Sequence, residues 1–199
     1  MAIKRELERT RLALTQAKSW HVHYVEATDY DTKTIDEYII CPSFRRQTIH
    51  TVSKSGSAFD YEAFTNADKT YFRYLGRNNQ WQLNTQYSAG QFKGCGQGPL
   101  IEYGAGLPLD DFIQKASIKR GIIRSEGDVV CRDYEMSYPT PGQIHPTFDQ
   151  TLCIDEQDHL PRQVRHPLSG KKEDSVTVYS EWNQASEPEL PSDLPLSNP

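Results

Sequence analysis

Short segments in which apolar and polar residues alternate, separated by turn residues, constrain the fold of this chain most strongly. In the first segment Trp20, Val22 and Tyr24 fall on one strand face. His21 and His23 fall on the other face, because successive side chains of a strand point to opposite sides. The links between the segments are short, and short links join antiparallel neighbours. The sequence therefore predicts an antiparallel meander.

About ten to eleven strands are expected in total. After the strand that begins at Trp20, the predicted strands span about 34–41, 44–53, 57–64, 69–75, 79–84, 118–125, 128–138, 147–156, 160–167 and 174–182. Before them, Ile3, Leu7 and Leu14 recur at helical spacing in a stretch without Gly or Pro, which predicts an amphipathic N-terminal helix. Asp110 and Asp111 mark the start of a short helix at about 108–117. Strands with two helices place the chain in the α+β class.

The chain is expected to hold a single domain over residues 1–183. The glycine-rich stretch 85–106 is predicted to be a long ordered loop. Residues 184–199 include four prolines, which cannot continue a sheet centrally, so this tail is predicted to run extended over the surface.

Charge and hydropathy exclude some classes of partner. The net charge of -5 argues against nucleic-acid binding, which needs clustered Lys and Arg to neutralise phosphates. No run approaches the roughly 20 apolar residues that cross a bilayer, so no transmembrane segment is expected. The chain is expected to be a monomer.

The four cysteines indicate disulfides. Cys41, Cys95, Cys131 and Cys153 show no C-x-x-C spacing that would suggest zinc or a redox dithiol. Disulfides predict an oxidising compartment, so we expect an exported protein, periplasmic or otherwise, whose signal peptide preceded this sequence. A hairpin register centred on Gly142 would place Cys131 opposite Cys153, close enough to bond. Cys41 would then pair with Cys95.

The polar clusters of the sequence are interpreted as structural or solvent-exposed residues rather than as catalytic or metal sites. The stretch TLCIDEQDHLPRQVRH, 151–166, predicts a hairpin in which Asp155, Glu156 and His159 are solvated turn residues rather than catalytic ones. His21 and His23 lack an identifiable third metal ligand and are interpreted as part of an exposed strand face. Because no nucleophile, base and orienting group assemble from the sequence, we predict neither an enzyme nor a metal or cofactor site.

Several motifs resemble the periplasmic lipoprotein-carrier superfamily, the LolA/LolB-like proteins. The echoes are Ile154, Asp155, Leu160 and Pro161 in an "ID…LP" hairpin, and Tyr179, Trp182 and Asn183 in the closing "Y…WN…P". Weaker echoes are the helix leading into KSWHVHYVEA and the segment CPSFRRQTI. The order of helix, meander, mid-chain helix and C-terminal strands covers most of the chain.

The resemblance implies a curved, unclosed antiparallel half-barrel with helices on its concave side and an apolar cavity between the layers. It implies a non-catalytic cell-envelope protein that binds a hydrophobic small molecule, a lipid or an acyl chain, and that is lipid-anchored in some members. The residues expected to line the ligand are apolar or aromatic: Leu7, Leu14, Trp20, Val22, Tyr24, Phe59, Tyr61, Phe72 and Tyr74. The alternative is an interaction or sensor module on the same scaffold, with a filled interior and another envelope protein as partner.

Overall fold

The structure is a computed structural model of the 199-residue chain. It describes residues 2–42, 44–66, 69–85, 114, 116–126, 129–139, 147–167, 174–184 and 190–194. Within this part lie one 15-residue helix, α1, and eleven strands. Their bounds are α1 Ala2–Gln16, β1 Ser19–Ala27, β2 Asp31–Ile40, β3 Phe44–Ser53, β4 Ala58–Asn66, β5 Lys69–Leu75, β6 Asn78–Leu83, β7 Ser117–Glu126, β8 Val129–Pro139, β9 Thr147–Asp155, β10 Pro161–Pro167 and β11 Asp174–Ser180.

The chain divides into two compact units. The helix unit comprises Met1–Gln16 and Gly96–Tyr179, and the meander unit comprises Ala17–Cys95 and Ser180–Pro199. In the helix unit β7, β8, β9, β10 and β11 pair in sequence order, and in the meander unit β1 to β6 do the same. Every one of these pairs is antiparallel. The predicted α+β class, with its antiparallel meander of ten to eleven strands, is confirmed.

Helix α1 forms where the sequence predicts it and buries one narrow stripe. Its buried residues are Leu7, Thr10 and Leu14, which share a face at helical spacing. At the edge of this stripe Glu6 accepts a hydrogen bond from the Tyr134 hydroxyl at 2.7 Å and lies 3.2 Å from Arg120. Apolar burial and this polar clamp together hold α1 on β7 and β8. Among the residues that the structure describes, no helix has the length and apolarity needed to cross a membrane.

The strand bounds agree with the sequence to within about three residues, and the end of the last strand is informative. The last strand was expected to run to Trp182, but β11 ends at Ser180. Glu181 and Asn183 have positive φ values of 54° and 59°, which a continuing strand excludes. Trp182 nevertheless stays buried, with its ring centroid 5.7 Å from that of Trp20.

Two predicted features lie outside the described residues. The glycine-rich loop 85–106 falls there except for Thr85, and so does nearly all of the short helix expected at 108–117. Ser117, its last residue, begins β7.

The disulfide between Cys131 and Cys153 is confirmed, but the register that predicted it is wrong. Cys131 lies opposite Asp155, and Cys153 lies opposite Asp133, so the bond joins diagonal neighbours whose Cα atoms are 5.5 Å apart. Strand twist brings one diagonal of a pair close enough for this geometry. Cys41 is also disulfide-bonded, whereas its expected partner Cys95 lies outside the described residues.

An aromatic core lies on the outer strands of the meander unit, β3 to β6. Phe44, Phe64, Tyr71 and Trp81, here called the Trp81 cluster, are all buried and share one face of β3 to β6. Leu194 of the C-terminal tail packs against this cluster. The described tail segment, Leu190–Leu194, makes a turn at Ser192 and Asp193 rather than staying extended throughout.

Candidate functional site

The strand register places the predicted meander residues on one face. Tyr24 lies opposite Ile35, Ile35 opposite Ile49, Ile49 opposite Tyr61, and Tyr61 opposite Tyr74. Directly opposed residues of antiparallel strands point to the same side of the sheet, so this row defines one face across five strands. The other predicted lining residues of the meander lie two or four positions from this row: Trp20, Val22, Phe59 and Phe72. We call this surface the aromatic face.

The aromatic face is buried at one end and open at the other. Trp20, Val22 and Tyr24 on β1 are buried. Phe59 and Tyr74 on β4 and β5 keep 44% and 36% of their surface exposed. The face therefore offers solvent-accessible aromatic surface only over its outer strands.

Four rings form a continuous cluster at the open end. Ring centroids are 5.6 Å apart for Phe59 and Tyr74, 5.6 Å for Tyr61 and Tyr74, 6.1 Å for Tyr61 and Phe72, and 5.7 Å for Phe72 and Tyr74. These separations are typical of interacting aromatic pairs. We call Phe59, Tyr61, Phe72 and Tyr74 the aromatic patch.

Charge is distributed very unevenly between the two faces of β3 to β6. By the register, Arg45 is the one charged residue on the aromatic face of these strands. The opposite face carries Arg46, His50, Asp60, Glu62, Lys69 and Arg73. Arg45 Nε donates to the fully buried Glu37, which balances its charge. The aromatic face is thus suited to apolar rather than ionic contacts.

The two helix residues of the expected site lie in the other unit. Leu7 and Leu14 belong to the helix unit, with 0% and 3% of their surface exposed. Their role as ligand-lining residues stays a prediction. Such full burial means that a charge placed at either position would test folding before it tested binding.

A pocket of about 480 Å³ opens on β7, β8 and β9 of the helix unit. Met136 is the apolar member of its lining, which otherwise consists of polar residues such as Lys119, Glu135, Asp149 and Gln150. An acyl chain would leave these polar groups without water, so this pocket does not match the apolar cavity expected from the sequence.

The polar turn between β9 and β10 is built for structure. Asp155 Oδ1 accepts the Gln157 backbone N–H at 2.7 Å, and Asp155 Oδ2 accepts from Arg162 at 3.0 Å. His159 takes a left-handed φ of 61°, which the tight turn requires. Asp155 is thus committed to holding the hairpin, and the "ID…LP" motif reads as a turn motif.

A polar cluster that the sequence did not predict lies on β1 and β2, on the side of the sheet opposite the aromatic face. Asp36 lies opposite His23, and its Oδ1 is 2.8 Å from His23 Nδ1 and 3.4 Å from His21 Nε2. His21 Nδ1 lies 3.1 Å from the Ser180 hydroxyl, and the Tyr38 ring stacks on His21 at 4.2 Å. Only the cross-strand register could have revealed Asp36 from the sequence.

This cluster is best explained as a strand-to-strand network. The shortest contact of Asp36 is with His23, directly opposite it on the neighbouring strand, and this contact ties β1 to β2. Desolvation, followed by the nearby carboxylates Glu181 and Asp36, raises the pKa of Tyr38. Across the ranges that the structure describes, no three His, Cys, Asp or Glu side chains are arranged to hold a metal ion.

Comparison with solved structures identifies similar folds. Lipoprotein LppX of Mycobacterium tuberculosis is 11% identical, with a TM-score of 0.60 over 94% of this chain and 97% of that one. LprF from Mycobacterium bovis is 10% identical, with a TM-score of 0.62 over 94% and 95%. The likeness shows the fold alone. The fold predicted from the sequence is therefore one that these two lipoprotein-type structures share with this chain.

A LolA superfamily protein from Nitrosomonas europaea is also similar, at 9% identity over 92% of this chain and 94% of that one, although its TM-score of 0.31 is too low to support an argument. No protein-family model matches the sequence, and no curated protein is significantly similar to it.

Proposed function

We propose that this chain is a non-catalytic cell-envelope protein that binds a lipid or acyl chain on its aromatic face. The observation that carries the proposal is the aromatic patch, in which four adjoining rings are partly exposed. On the same face of β3 to β6 the one charged residue, Arg45, is neutralised by Glu37. Monomeric proteins seldom leave such a surface exposed unless it binds something.

The energetics favour a long apolar ligand. Each methylene that leaves water contributes about 0.8 kcal/mol. Association costs about 4 kcal/mol or more in lost freedom, so a ligand needs a chain of many methylenes to be held. An acyl chain laid along the patch toward the partly exposed Ile49 would meet apolar surface for several residues.

An exported location is supported by two observations. The Cys131–Cys153 disulfide is a bond that persists in oxidising compartments. The fold is shared with LppX, which is described as a lipoprotein. A periplasmic or lipid-anchored form fits both.

The second candidate is a protein-interaction module that uses the same patch. It is favoured by the openness of Phe59 and Tyr74, because an exposed aromatic surface also suits a flat protein partner. A lipid and a protein partner are separated by the experiment below.

The test is binding of a fluorescent fatty-acid probe to the purified chain. Phe59→Ser combined with Tyr74→Ser should weaken binding by about tenfold or more, because each ring contributes roughly 1.5–3 kcal/mol when covered. Val52→Ser is the matched control, since Val52 is also 36% exposed but lies on the opposite face of β3. This control should bind as the wild type does.

Native mass spectrometry completes the test by revealing lipid that co-purifies. Asp155→Asn and His159→Ala should leave probe binding unchanged, because both residues serve the turn. Absence of probe binding by the wild type, together with lipid-free preparations, would reject the carrier function and favour the interaction module.

A further inference from the structure

The Trp81 cluster lies on the side of β3 to β6 that carries Arg46, Glu62 and Arg73, opposite the aromatic patch. Trp81 stands on β6, which pairs with β5, and yet only 5% of its surface is exposed. A large ring at this end of the paired strands must be covered by something other than its own sheet. Leu194 from the C-terminal tail packs on the cluster and supplies part of that cover.

Arg73 links the cluster to the tail. Its guanidinium carbon lies 4.5 Å above the Trp81 ring, and Nε donates to Glu62 at 2.8 Å. Arg73 Nη2 also contacts Glu62, at 2.7 Å. The other terminal nitrogen of Arg73, Nη1, lies 3.5 Å from Asp193 Oδ2. The Arg73 side chain therefore covers the Trp81 ring and also contacts Asp193, the acid that precedes Leu194.

Charge complementarity explains why an acid is found there. The buried Glu62 is paired with two arginines, Arg73 and Arg46, the latter at 3.0 Å and 2.7 Å. These three side chains carry one net positive charge. Asp193 brings the balancing negative charge to the exposed side of Arg73, where a modest attraction survives screening by water.

We propose that the Trp81 cluster and Arg73 form a docking site for a short segment in which an acidic residue precedes leucine, and that its occupant is this chain's own tail. Leu194 fills the apolar part of the site and Asp193 the cationic part. Pro191 restricts the segment before it docks, which lowers the entropy lost on binding.

The short connection between Gln184 and Leu190 keeps the tail at high effective concentration, so a weak contact suffices and can exchange. This inference concerns the other face of the unit and does not rest on the proposed lipid binding.

Exchange of the tryptophan indole N–H groups in the full chain tests the proposal by NMR. The chain has three tryptophans, and Trp81 Nε1 is buried without a hydrogen-bond partner among the described residues. In the double variant Asp193→Lys, Leu194→Ser, exchange of the Trp81 indole N–H should accelerate by about tenfold or more as the cover opens. The Trp20 and Trp182 signals should not change, which reports that the unit stays folded.

Leu190→Ser is the matched control, because Leu190 lies in the same tail but is 54% exposed. It should leave the Trp81 signal as in the wild type. If the double variant also leaves Trp81 exchange unchanged, the tail does not occupy the site and the proposal fails.

A peptide of residues 189–199 then tests the site itself. It should bind the double variant and restore slow exchange of Trp81, whereas a peptide carrying the same two substitutions should not. The wild type should bind neither, because its own tail holds the site. Equal binding of the wild-type peptide to both proteins would place its site elsewhere, and protection of Trp81 that depends on protein concentration would mean exchange of tails between two copies; either result overturns the proposal.

Discussion

Tyr134 shows how a single side chain fastens α1 to the strands below it. Its hydroxyl donates to Glu6, whose carboxylate also lies near Arg120. Burial raises the pKa of Tyr134 to about 12, and the hydrogen bond to Glu6 and the negative charge of Glu6 add to the effect. The amphipathic stripe of α1 is visible in the sequence, but this clamp depends on which strand lies beneath Glu6.

The raised pKa of Tyr134 predicts a loss of stability in alkaline solution. The folded chain keeps the Tyr134 proton up to about pH 12, whereas the unfolded chain releases it near the ordinary pKa of 10.0. The stability that the protonated Tyr134 contributes is therefore fully present below pH 10 and is lost as pH rises from 10 to 12. The free energy of unfolding, measured by urea denaturation across this range, should fall more steeply for the wild type than for Tyr134→Phe. Parallel curves would show that Tyr134 does not carry the effect.

Trp182 packs outside any strand and should still be a major stabilising residue. It is 8% exposed and contacts the Trp20 ring, so Trp182→Ala should lower the free energy of unfolding by about 3–5 kcal/mol. Guanidinium denaturation measures this loss. Tyr30→Ala, at a residue that is 77% exposed, should change the midpoint little and serves as control. A midpoint near that of the wild type for Trp182→Ala would contradict the packing seen here.

In the hairpin of β8 and β9, the alternation of side chains predicts which face each residue lies on, but it does not predict the register of the two strands. Alternation assigns Cys131 and Cys153 to one face, and a shift of two residues preserves that face because the side-chain period of a strand is two. The predicted disulfide pair is therefore correct although the predicted strand register is wrong by two residues. The register itself depends on the geometry of the connecting turn, which one glycine does not determine.

The Cys131–Cys153 bond should contribute substantially to stability. It closes a loop with a sequence separation of 22, for which the chain-entropy model gives about 3 kcal/mol. Replacing both cysteines by alanine should lower the free energy of unfolding by about that amount. Peptide mapping without reductant checks the pairing, and a fragment joining Cys131 to Cys41 or Cys95 would refute it.

β7 holds a glycine that its neighbours require. A Cβ on Gly121 would come within 2.9 Å of the Asp133 Cβ and 3.3 Å of the Asp133 carbonyl oxygen. Both atoms belong to the closely held part of β8, so Gly121→Ala should destabilise the chain by about 1–3 kcal/mol. Thermal denaturation would measure the change, and an unaltered Tm would show that β7 shifts freely. Gly121 coincides with a register irregularity in β7, which alternation alone did not predict.

For the whole molecule, the proposed function predicts stabilisation by ligand. A bound fatty acid at a hundred times its Kd should add about 2.7 kcal/mol to the free energy of unfolding by mass action. The Tm of lipid-free protein should then rise by about 5 °C or more on adding a long-chain fatty acid. The Phe59→Ser, Tyr74→Ser variant should show little of this rise, and the same rise in both proteins would place the ligand away from the aromatic patch.

The sequence by itself determined the fold class, the order and approximate bounds of the strands, and the N-terminal helix, because all of these follow from local periodicity. Only the tertiary structure decided that Phe59 and Tyr74 stay open while Trp20 and Val22 are buried. It alone brought Asp36 to His23 and seated Leu194 on the Trp81 cluster. Exposure, and contacts between side chains of different elements, depend on strand register and packing, which no local pattern encodes.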